Sequence, residues 1–229
     1  MTRTALNNVL WTLSLLLQAG LLVRLVRRGL ALRVPTFTVL IGFYVVRSLS
    51  LYLLSSHMAP SSYAHTYSLL AILDLFLQLS VAIEIELRLF PIGDLANPGK
   101  ALRGVVILLA IPALALCATV LITASLPARA TQPADLLQLF AALFFLLLGF
   151  LATARAASRY LSRVTIGLAA YGALCVAGII GRTFASVHKS SQSFLVWSYA
   201  VSIGWLVIVG VWLVMLPPDS ASQSIEPKR

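Results

Sequence analysis

Seven apolar stretches, each long enough to cross a bilayer, fill almost all of this 229-residue chain. A crossing needs about 20 mostly apolar residues at roughly 1.5 Å of rise each. The segments that qualify are about 5–26, 35–56, 66–90, 101–126, 135–158, 161–183 and 194–216. The expectation is an all-α, polytopic membrane protein: one seven-transmembrane-helix bundle over residues 1–216, followed by a polar, Pro- and Ser-rich tail, 217–229, expected to be disordered. Nothing the size of a soluble domain lies between the segments. Function is therefore expected inside the membrane, on short loops, or through a partner.

Composition points the same way. With 60% hydrophobic residues, 10% charged and a mean hydropathy of +0.96, the chain lies far outside the range of a water-soluble domain. A net charge of +10 would suggest nucleic acid in a soluble protein. Here the basic residues cluster at segment ends, where lipid headgroups and orientation account for them, so the bilayer is the expected partner and nucleic acid is not. Cys117 and Cys175 both fall inside apolar segments and read as small core residues. The first segment differs from a cleaved signal: its run is long, only Arg3 precedes it, and Arg24, Arg27 and Arg28 follow it like a stop-transfer flank.

Counting Lys and Arg on the two sets of loops orients the chain. One set holds Arg24, Arg27, Arg28, Arg33, Arg88, Lys100, Arg103, Arg155, Arg159, Arg163, Lys228 and Arg229, twelve residues against four (Arg3, Arg129, Arg182 and Lys189) on the other. The positive-inside rule then puts the amino terminus outside and the carboxyl terminus in the cytoplasm. Short loops make sequential helices antiparallel neighbours. Pro35, Pro60, Pro91, Pro98, Pro127, Pro133, Pro217 and Pro218 fall near predicted helix boundaries, where a missing N–H costs little. Pro112 lies mid-span in the fourth segment and predicts a kink. In the sixth, Ala169, Ala173, Ala177 and Gly181 form a ladder of small residues. Such a ladder admits a closely packed helix, from the same bundle or, in a homodimer, from a second copy.

Charges within lipid cost at least ~2.5 kcal/mol on insertion scales, so they are paired or functional. Arg47 and Asp74 are the two clear cases. At about 1.5 Å per residue both fall about 12 Å below the outer boundary, on consecutive antiparallel helices. An ion pair between them is expected, either fixing helix register or lining a ligand or ion cavity. In the first segment Asn7, Trp11, Ser14 and Gln18 share one face; Tyr67, Asp74 and Gln78 form a stripe on the third, and Ser198, Ser202 and Trp205 on the seventh. The three stripes either converge on a small pocket in the outer half or make ordinary interhelical hydrogen bonds. The candidate ligand- or ion-binding residues are therefore Arg47, Asp74, Gln78, Gln18, Ser14, Trp11 and Ser202.

Near the cytoplasmic boundary, Glu84 and Arg88 have the spacing of a helical ion pair, while Glu86 points to another face and is expected to pair with a loop arginine. Asp135 suits the start of the fifth helix. His57, His65 and His188 are expected on outer loops at no metal-ligand spacing, so no metal and no cofactor is predicted. The seventh segment has no lysine for a retinal Schiff base, and HExxH, GxSxG and phosphate-loop motifs are absent. Arg155, Arg159 and Arg163 form a basic inner face, for an acidic protein partner or for anionic headgroups.

The runs FYVVRSLSLY (Phe43 to Tyr52) and LSVAIEIELRLF (Leu79 to Phe90), with an acid ahead of the second at Asp74, resemble a group of uncharacterised small bacterial seven-helix inner-membrane proteins. The resemblance implies the fold and a bacterial inner (cytoplasmic) membrane, with an acid at Asp74 and another at Glu84 or Glu86, and carries no activity. The expected role is that of a small-ligand or partner-binding sensor or accessory subunit whose thirteen-residue tail leaves signalling output to another protein. One alternative is a small transporter or channel with a polar path at Arg47, Asp74 and Gln78. Another is an intramembrane lipid-modifying enzyme using Asp74 or Glu84.

Overall fold

A computed structural model describes residues 3–55, 60–90, 98–124, 133–154 and 159–216. Among them the chain forms seven α-helices: α1 (Arg3–Arg27), α2 (Pro35–Ser55), α3 (Pro60–Leu89), α4 (Pro98–Ala124), α5 (Pro133–Ala154), α6 (Arg159–Val187) and α7 (Ser191–Met215). They fall in the order of the seven predicted segments. Six are long and apolar enough to cross a membrane; in α4 the corresponding run is the shorter stretch Leu109–Ala124. The outer surface is apolar as well, with Leu16, Val46, Phe76, Leu121, Phe150 and Val214 exposed. Lipid tolerates such a surface over this area and water does not. The protein is an all-α, multi-pass, membrane-embedded bundle.

Local chemistry sets the helix limits. Pro35, Pro60, Pro98 and Pro133 are each the first residue of a helix, where fixed φ favours the helix and no N–H is lost. Pro91, Pro127, Pro217 and Pro218, like the tail 217–229, lie outside the described residues. α4 continues through Pro112. After α1 the chain turns at Gly29, whose φ of 64° favours glycine. Ser190 caps α7, its hydroxyl accepting from the Ser193 N–H at 3.3 Å.

Consecutive helices alternate in direction, and their contacts close a ring in the order α1, α2, α3, α5, α6, α7 and back to α1. α4 stands outside this ring, packed on α5. Sequential helices are thus neighbours, as expected, at every step but one: α3 packs on α5 rather than on α4. We call the end at which α1 begins the upper end and the opposite one the lower end.

The lower half is dry and closely fitted. Leu25, Phe37, Ile85, Val164, Trp212 and Leu216 are all buried there. Trp212 meets Phe37 edge-on with ring centroids 5.0 Å apart, and its indole N–H donates to the Arg163 carbonyl at 3.1 Å. The indole lies over Gly167 so closely that a Cβ there would collide with it, and a Cβ on Gly172 would collide with the Ala142 carbonyl of α5. Small residues are what let α6 approach both neighbours.

Charges tie the lower helix ends together. Arg24 donates to the carbonyls of Leu213, Val214 (3.2 Å) and Leu216 (2.6 Å), and Arg163 donates to that of Met215. The last carbonyls of a helix have no partner in their own helix and carry its negative end, so guanidinium groups satisfy them twice over. One Glu84 oxygen accepts from the Thr36 N–H at 2.9 Å and from the Thr36 hydroxyl, at the start of α2. The other accepts from Arg88 at 2.7 Å, which is the expected helical pair.

Candidate functional site

Arg47 lies two turns below the upper end of α2, and Asp74 faces it from α3. Arg47 Nη1 and Asp74 Oδ2 are 2.7 Å apart, as the equal-depth reckoning predicts, and the two side chains keep 18% and 13% of their exposure. The pair is neither dry nor on a surface. Asp74 Oδ1 accepts from Gln78 Nε2 at 3.0 Å, and the same amide nitrogen is 3.3 Å from the Tyr44 hydroxyl. Gln78 Oε1 in turn accepts from Gln138 Nε2 of α5 at 3.3 Å. The Arg47 guanidinium also lies 5.5 Å from the centre of the Tyr67 ring, within range of a cation–π contact. Both Asp74 oxygens therefore have donors, which is what makes a carboxylate tolerable at this depth.

Beside the network is a cavity of ≈ 530 Å³ between α2, α3, α5, α6 and α7. Arg47, Asp74, Gln138, Cys175 and Arg182 form its polar wall, and Leu75, Ile179 and Phe194 contribute apolar surface. This volume lies within the range of small-molecule sites, as does the mixture of apolar wall and a few converging polar groups. Guanidinium, amide and hydroxyl groups recognise a polar ligand without needing to transform it.

A second cavity, of ≈ 470 Å³, opens between α1, α2, α3 and α7; Asn7, Trp11, Ser14, Tyr52, Ser202 and Trp205 line it. Trp11 stacks on Tyr52 at 4.6 Å between centroids, and the Tyr199 hydroxyl donates to Asn7 Oδ1 at 2.8 Å. Ser202 bonds within its own helix, to the Ser198 carbonyl at 3.0 Å. Below this cavity Gln18 donates to Ser14 Oγ at 3.1 Å, while its buried Oε1 has no hydrogen-bond partner among the described residues.

Of the two alternatives left open for the three stripes, a single shared pocket is not what the geometry gives. The stripes of α1 and α7 meet in the second cavity, whereas Arg47, Tyr67 and Asp74 line the first. Aromatic bulk on the bundle axis divides them: Trp205 packs on Tyr44 at 5.3 Å and on Tyr171 at 4.6 Å between centroids.

Glu86 is 1% exposed, and its Oε1 has no hydrogen-bond partner among the described residues; of the inner-loop cations expected to reach it, the side chains of Lys100, Arg103 and Arg155 lie outside those described. Two residues beyond Glu84 on a helix, it turns away from α2 into the bundle wall. The small-residue ladder is divided: Ala169 meets Gly149 of α5, Gly181 lies under Trp197 of α7, and Ala173 and Ala177 are exposed. On the basic face, Arg159 is exposed, Arg163 is partly engaged by Met215, and Arg155 lies outside the described residues. Asp135 stands in the first turn of α5. His65 and His188 are exposed, and His57 lies outside the described residues.

Sequence reasoning missed Tyr44, Gln138, Tyr171, Cys175 and Arg182. Tyr44 had a signal, standing one helical turn before Arg47 on the same face. So did Gln138, three residues after Asp135 in an otherwise apolar run. Arg182 counts among the outer-loop cations in the sequence because it stands at the very end of the apolar stretch 161–183; α6 extends to Val187 and carries it within the helix. Bundle and cavities together define a multi-pass helical membrane protein with a polar, partly enclosed site. Comparison with known proteins brings no match, whether to a family model, a curated protein or a solved structure.

Proposed function

We propose that this protein spans a bacterial cytoplasmic membrane seven times, amino terminus outside and carboxyl terminus inside, and binds a small polar ligand entering from the outer face. In this reading it is a sensor or accessory subunit. The observation that carries it is the ≈ 530 Å³ cavity built around the Arg47 and Asp74 pair. A purely structural pair would be better sealed, because open volume around paired charges loses packing without relieving their cost. The excess of Lys and Arg at the lower end supports the orientation. Exposed Arg159 suits the same end to anionic headgroups or an acidic partner.

The test is native mass spectrometry of the protein released from nanodiscs. A reproducible added mass that disappears in Asp74→Asn, with the helical content unchanged, is the expected result. A bare protein in both cases removes stable ligand binding.

Transport is the second reading, and one observation favours it: Glu86, a buried acid, lies two turns below Gln78 on the same helix. A path from Asp74 past Gln78 would continue there. It would also have to open the packing around Phe37 and Trp212, both buried. Solute flux into proteoliposomes that is abolished by both Asp74→Asn and Glu86→Gln would establish transport; binding without flux would exclude it.

A further inference from the structure

We propose that the cavity at Arg47 and Asp74 takes its ligand by an anionic group, a carboxylate or phosphate, held by Arg182. The proposal rests on the ligand-binding reading above and names the chemical class of the ligand.

It follows from an account of charge on the cavity wall, where four ionisable residues of fixed charge stand: Arg47, Asp74, Asp135 and Arg182. Asp74 is satisfied by Arg47 on one oxygen and Gln78 on the other. Asp135 stands in the first turn of α5, where the N-terminal N–H groups of the helix offset a negative charge. Arg182 forms no hydrogen bond and no ion pair among the described residues, and it lies a full turn short of the end of α6, where the terminal carbonyls would help it. Its five N–H donors are therefore unclaimed among the described residues, on a wall where Asp74 and Asp135 each have compensation. Arg47 uses Nη1 on Asp74 and leaves further donors on the same wall. An anion with an apolar body suits the remaining surface, Ile179 and Phe194. Guanidinium binds planar oxyanions through two parallel hydrogen bonds, so carboxylate and phosphate are the groups it selects.

The chain supplies its own reporter. Of its two cysteines, Cys175 is buried on the cavity wall and Cys117 is exposed on α4. With Cys117→Ser in full-length protein in phosphatidylcholine nanodiscs, Cys175 is labelled by two methanethiosulfonates of similar size, one carrying a sulfonate and one a trimethylammonium group. In each case the thiolate attacks the thiosulfonate sulfur, a mixed disulfide forms and methanesulfinate leaves. Rates are divided by those of a free thiol in water, which cancels intrinsic reactivity. The sulfonate reagent should be favoured by about tenfold or more, because a nearby fixed charge raises the local concentration of its counter-ion. Arg182→Gln should bring the ratio to about one, and Arg182→Lys should largely restore it.

Equal normalised rates, or a preference that survives Arg182→Gln, overturn the proposal and leave the cavity standing. If neither reagent reacts until the protein is unfolded in SDS, the cavity is closed to water, and the ligand-binding reading falls with the anion. Two further arms identify the source. Slower sulfonate labelling in phosphatidylglycerol discs assigns the anion to a lipid headgroup, and protection by added benzoate in phosphatidylcholine discs assigns it to a soluble acid. Protection by neither overturns the proposal.

Discussion

The lower half of the bundle is packed with large apolar side chains and tied by arginines on helix-terminal carbonyls, while the upper half holds both cavities described above and most of the polar network. Both halves are built from the same helices, and their apolar content alone does not distinguish them. What differs is how the polar groups are used. Below, Arg24, Arg163 and Glu84 bond to backbone atoms beside closely packed apolar side chains. Above, Arg47, Asp74, Gln78 and Gln138 satisfy one another beside open volume. Polar residues that tie backbone and polar residues that border a cavity are distinguished by what they bond to, not by their depth.

That contrast is best broken from below. Trp212→Ala should cost about 3 kcal/mol or more, since it empties a site that lipid cannot fill and removes the bond to the Arg163 carbonyl. Reversible unfolding in bicelles measures this; a loss under 1 kcal/mol would mean that the lower half is not the stability core. Asp74→Asn comes next, at about 2 kcal/mol, below the usual value for a buried pair because the cavity leaves Arg47 access to water. Adding Arg47→Gln should recover part of that loss, and a double variant worse than the sum of the singles would show that the two do not act as a pair.

Glu86→Gln should run the other way and stabilise by about 1 kcal/mol. It replaces a buried carboxyl whose Oε1 has no hydrogen-bond partner among the described residues, at little change in volume. A large destabilisation there would reveal a partner that depends on the charge. Ser202→Ala closes the series, within about 0.5 kcal/mol, because its hydroxyl bonds only its own helix among the described residues.

The helices and their order were legible because lipid imposes length and apolarity on every span. The pair was legible for the same reason: a charge in lipid needs a partner at its own depth, and Asp74 was the one acid available to Arg47. The division into two cavities was not, because it depends on where the rings of Tyr44, Tyr171 and Trp205 meet. Apolar periodicity is nearly uniform around such helices and does not specify rotation. Arg24 was readable as a flanking charge, but its partners on α7 stand about 190 residues away and follow a path no local pattern marks. The position of α4 was hidden too, since short loops suggest neighbours and do not compel them.

The pairing of Arg47 with Asp74 bears on how the chain is made. The two lie on consecutive helices, 27 residues apart in sequence, so they leave the ribosome within seconds of each other. The α2–α3 hairpin then enters the bilayer with Arg47 and Asp74 already compensating one another, before α5, α6 and α7 have been synthesised. Gln138 arrives on α5 to a carboxylate already compensated. An Asp74 stranded by Arg47→Gln would enter lipid alone, and the defect would register as failed membrane insertion before it registered in the stability of the assembled bundle.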